Sequence, residues 1–117
     1  MNEWDVHRLL PVLPAGAMLL SESKLYRLTA SEVSTLLKSG DLTVVEYARS
    51  LLEHIDAREP IVKAWAYLDK DLILDEARKL DQLLPEERGV LHGIPIGIKD
   101  VIYTKGINSM PQMQLIN

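Results

Sequence analysis

Residues 90–101 read V-L-H-G-I-P-I-G-I-K-D-V, and the alternation of branched apolar residues with glycine and proline decides how the chain is read. In an extended strand, successive side chains point to opposite faces. Ile94, Ile96 and Ile98 then share one face, while Gly93, Pro95, Gly97 and Lys99 share the other. The first face is apolar and the second nearly bare, open to another backbone or a ligand. The one long side chain on the bare face, Lys99, stands at its far end beside Asp100. Pro95 has no N–H to give a ladder, which places the strand at an edge or a bulge and suits one that borders a cleft.

Outward from this strand, Glu86 to Gly89 reads as a polar turn. Before it, Ile73, Ala77, Leu80 and Leu84 recur at helical spacing, Asp75 and Lys79 make a favourable i,i+4 pair, and Pro85 is a stop, so a helix is predicted over Lys70 to Leu84. Lys63 to Leu68, K-A-W-A-Y-L, alternates without a breaker and predicts a short strand. Thr43-Val44-Val45-Glu46 has the spacing of a capping box, and Val44, Ala48, Leu51, Leu52 and Ile55 follow at helical spacing until Pro60 ends the pattern. Thr29-Ala30-Ser31-Glu32 repeats that signature ahead of a helix over Ala30 to Ser39, with Val33, Leu36 and Leu37 on one face and Gly40 as its left-handed stop. Residues 1–28, punctuated by Pro11, Pro14 and Gly16, read as an irregular arm with room for a short helix around Asn2 to Leu10. The order helix, helix, strand, helix, strand argues for an α/β fold.

Composition narrows the function. In 117 residues, 47% are hydrophobic, which permits a core, but there is no Phe and there are 2 Trp and 4 Tyr to fill it. A net charge of -4 and no Lys/Arg cluster argue against nucleic acid as a direct partner. The absence of cysteine excludes disulfides and thiol catalysis and fits a reducing compartment, with the cytoplasm the expected location. The apolar run Leu9 to Leu20 is broken by two prolines, and no stretch reaches the roughly 20 apolar residues of a membrane span.

The segment L-H-G-I-P-I-G-I-K-D closely resembles the G-I-P-I-x-x-K-D segment of the amidase signature family of serine hydrolases. The resemblance implies a large α/β enzyme, helices packed on a mixed sheet, that cleaves the C–N bond of small-molecule carboxylic amides with a Ser, cis-Ser, Lys triad. It implies neither cofactor nor metal. The family's lysine falls on Lys99, as general base acting through the cis-Ser. Residues 29–106 then form the N-terminal part of the amidase domain, and residues 107–117 a divergent tail that does not continue the family pattern.

The family's serines lie downstream of the lysine, and nothing in this chain matches them. Ser21, Ser23, Ser31, Ser34, Ser39 and Ser50 precede Lys99, and Ser109 has no neighbouring glycines to supply an oxyanion hole. Asp100 reads as a structural acceptor where the strand turns. His7, His54 and His92 have no metal-like spacing. The chain is therefore expected to be an incomplete piece of an amidase, inactive alone. A component of a glutamyl-tRNA amidotransferase and a non-catalytic helical interaction module derived from an amidase stand as alternatives.

Overall fold

The computed structural model describes residues 24–99 and 112–116, so the arm helix expected around Asn2 to Leu10 lies outside the described residues. Three helices, α1 (Ala30–Ser39), α2 (Val44–Val62) and α3 (Lys70–Asp81), are followed by an antiparallel pair, β1 (Pro95–Ile98) and β2 (Gln112–Leu115). Single 3-10 turns, Leu25–Arg27 and Pro85–Glu87, precede α1 and follow α3. Helices and sheet share one core, the α/β character expected, with α2 packed on α3 and α3 on β2.

Both capping boxes form. Thr29 Oγ1 accepts the Glu32 N–H at 3.2 Å while Glu32 returns a carboxylate to the Thr29 N–H at 2.7 Å, and Thr43 and Glu46 do the same at 3.1 and 2.8 Å. Each box satisfies backbone donors that a helix start otherwise leaves open. α1 ends at Gly40, whose φ of 80° is the left-handed conformation and whose N–H bonds to the Leu36 carbonyl. The start of α2 carries a second, long-range cap: the carboxylate of Asp81, at the end of α3, accepts the N–H groups of Val44 at 2.7 Å and Val45 at 3.1 Å. Val44, Val45 and Glu46 thus all have acceptors, and an anion sits on the positive end of the helix.

The core is small and aliphatic. Val33 and Val44 are its largest fully buried side chains, and Tyr47 is its one aromatic among the described residues. Ile94 and Met113 bring the sheet into the same cluster. Gly93 makes the crossing possible. Its φ is 76°, and a Cβ there would stand 2.8 Å from both Leu37 Cδ1 and Val44 Cγ2. Only a residue without a side chain lets this backbone lie against α1 and α2.

Five expectations are corrected. Pro60 does not end α2, which runs on to Val62. Pro60 and Asp56, whose carbonyl loses its partner, both lie on the exposed side, where water replaces the bond. Residues 63–68 form no strand. Lys63 is left-handed at φ 51°, which turns the chain, and Glu59 Oε1 takes the Trp65 N–H at 2.9 Å that a ladder would have used. α3 stops at Asp81 instead of Leu84. Pro85 forces the residue before it out of the helical region, and Leu84 is extended at ψ 151° and exposed. The Ile-rich strand is shorter than residues 90–101: Val90 to Gly93 form a turn in which Ile94 N–H bonds to the Leu91 carbonyl at 3.0 Å. On α3, Asp75 pairs with Arg78 rather than with Lys79.

Residues 112–115, to which the sequence assigned no element, pair with β1 in the register Pro95↔Leu115, Ile96↔Gln114, Gly97↔Met113 and Ile98↔Gln112. Gly93 N–H to Ile116 O at 2.6 Å and Ile116 N–H to Ile94 O at 3.0 Å extend the pairing past the strand end.

Candidate functional site

The three isoleucines of the apolar face do not share one environment. Ile94 is buried in the core, Ile98 is half-buried, and Ile96 is 40% exposed. The bare face is not empty either. A Cβ at Gly97 would stand 3.3 Å from Cη2 of Trp65 and 3.8 Å from its Cζ3, so the missing side chain is what admits the indole. Trp65 reaches this position from the turn after α2, its backbone held by Glu59.

Lys99 lies one residue past β1 and is exposed. It lines an open groove of about 270 Å³ together with Ala64, Trp65, Gly97 and Ile98. The groove therefore offers an aromatic wall, a strip of strand backbone with no Cβ at Gly97, and one primary amine at its end. Such a set can hold a small planar group against the indole and present a nitrogen base or cation to it. Trp65 was legible in sequence only as a strand residue. The available signal was the glycine face itself, since bare strand surface next to a core calls for a large neighbour.

Of the other residues weighed in the sequence, those among the described residues do not line this groove. Ser31, Ser34 and Ser39 lie on α1 and Ser50, buried, on α2. Ser39 Oγ stands 2.6 Å from Asp41 Oδ2 and 3.0 Å from the Leu36 carbonyl, so its one O–H is used within a local turn. His54 stacks on Tyr26 with ring centroids 3.8 Å apart and planes 7° from parallel. His92 is buried in the turn before β1. Asp100 and Ser109 lie outside the described residues.

A family model described as Amidase matches residues 46–114, a range that takes in most of α2, all of α3, the Lys99 groove and most of β2. Among curated proteins, the A-subunit of the glutamyl-tRNA(Gln) amidotransferase of Chloroflexus aurantiacus is 40% identical over 87 residues, 73% of this chain and 18% of that protein. The A-subunit of the same name from Fusobacterium nucleatum is 43% identical over 89 residues, 74% of this chain and 18% of its own length. The amidase-named AmiD of Mycobacterium bovis is 36% identical over 87 residues, again 73% and 18%. The matched region is under a fifth of each of these relatives. No solved structure matches the chain significantly.

Proposed function

Because this chain belongs to the amidase family, we propose that it carries the lysine of an enzyme that hydrolyses the C–N bond of a small carboxylic amide, with Lys99 as general base. One observation supports this most directly. Lys99 leaves the end of β1 into a groove walled by Trp65, inside the region matched by the family model. In this reading, neutral Lys99 takes a proton, relayed through one serine, from a second serine whose oxygen attacks the amide carbon. The amine then leaves with a proton, and water hydrolyses the acyl-enzyme.

Two requirements are supplied from outside the described residues. Lysine acts as a base once burial favours its neutral form, and Lys99 is exposed here. The serines on α1 and α2 do not line the groove. The 117-residue chain alone is accordingly proposed to be inactive, and a longer polypeptide or a companion chain to complete the site.

The relatives named as A-subunits of a glutamyl-tRNA(Gln) amidotransferase favour a second reading of the same chemistry, in which the ammonia released serves a partner. The test is a chimera in which this chain replaces the corresponding stretch of the Fusobacterium nucleatum relative. Amide hydrolysis by the chimera that disappears with Lys99→Ala supports the role of Lys99. Hydrolysis that survives Lys99→Ala, or turnover by the purified 117-residue chain alone, refutes the respective part of the reading. A correctly folded chimera with no activity at all favours the non-catalytic helical module.

A further inference from the structure

A second concavity, which shares no lining residue with the Lys99 groove, lies where α1 meets the turn between α3 and β1. Its volume is about 100 Å³. Ser34 and Lys38 line it from α1, Arg88 and His92 from the turn, and Leu37, Pro85 and Val90 supply its apolar surface.

The charge of this pocket runs against that of the chain. The protein carries a net charge of -4, yet the pocket gathers a lysine and an arginine, and no carboxylate lines it among the described residues. The arginine is also held in place. Arg88 Nε donates to the Leu83 carbonyl at 3.0 Å, which orients the guanidinium plane and leaves the terminal nitrogens for another acceptor. The wall is built on a fixed turn, with His92 N–H on the Gly89 carbonyl at 3.2 Å and Ile94 N–H on that of Leu91 at 3.0 Å.

We propose that this pocket binds a short-chain carboxylate. Guanidinium and ammonium groups select an anion, and the planar fork of Arg88 matches the two oxygens of a carboxylate. The volume suits a ligand of a few heavy atoms, since one water in the liquid takes roughly 30 Å³. Leu37, Pro85 and Val90 give an alkyl tail a surface to cover, which inorganic phosphate does not use. The proposal does not depend on Lys99.

The test is an NMR titration of the full 117-residue chain with butyrate, butyramide and inorganic phosphate at matched ionic strength. Butyrate is expected to give saturable amide shifts confined to residues 34–38 and 85–93, with butyramide giving none and phosphate binding more weakly. Arg88→Gln should weaken butyrate about tenfold, the scale of one charge-assisted hydrogen bond. Lys38→Gln, on an exposed side chain and so safe for the fold, should weaken it about threefold and decides the matter if Arg88→Gln does not fold. Equal shifts with butyramide, equal affinity for phosphate, no saturable shift, or butyrate binding unchanged in both variants would each overturn the proposal.

Discussion

The helical region and the hairpin of this protein are organised on different principles. α1 and α2 are closed locally, each with a reciprocal box at its start and an apolar face that meets the core. The hairpin is closed by distant residues: β1 pairs with a strand fourteen or more residues on, Trp65 stands against the position a Gly97 side chain would take, and Ile96 and Lys99 remain exposed. The contrast separates a scaffold closed by its neighbours in sequence from a region left open, and it is on the open region that the proposed function rests. The seam between them is Gly93.

The sharpest way to break this division is Gly93→Ala. The added methyl meets Leu37 and Val44 at 2.8 Å and sits at positive φ, so overpacking and conformational strain combine to a loss of about 3 kcal/mol in chemical denaturation. Asp81→Ala comes next. It strips both acceptors from the Val44 and Val45 N–H groups and should cost about 1–2 kcal/mol, the upper range for a helix cap. Gly40→Ala isolates the conformational part of the first effect, because nothing lies within 4 Å of its Cβ position, and about 1 kcal/mol is expected. A Gly93 variant no worse than the Gly40 variant would show that the seam is not tightly packed. Lys99→Ala should move the denaturation midpoint by less than about 0.5 kcal/mol while abolishing activity in the chimera, which separates scaffold from site.

Legibility in the sequence follows the same division. Thr29-x-x-Glu32 and Thr43-x-x-Glu46 announced α1 and α2 because a capping box is a contact between residues three apart, written in one short window. Lys99 at the end of an extended glycine-bearing segment was legible for the same reason. Residues 63–68 were misread because alternation reports which way side chains point and says nothing of whether a neighbouring strand exists to pair with. The role of Trp65 and the strand at 112–115 depend on contacts across 32 and about 17 residues, with Gly97 and the rest of β1, and no local pattern encodes those. The pocket at Arg88 and His92 was hidden likewise, since α1 and the turn are some 50 residues apart in sequence.

The carboxylate of Asp81 reaches back 36 and 37 residues to the first turn of α2, and this makes two amide protons into reporters of a tertiary event. The N–H groups of Thr43 and Glu46 are guarded by a box within their own turn and exchange with solvent whenever that turn frays. Those of Val44 and Val45 are guarded by α3. Their exchange with deuterated water therefore times the detachment of one helix from another, at adjacent positions in the same turn.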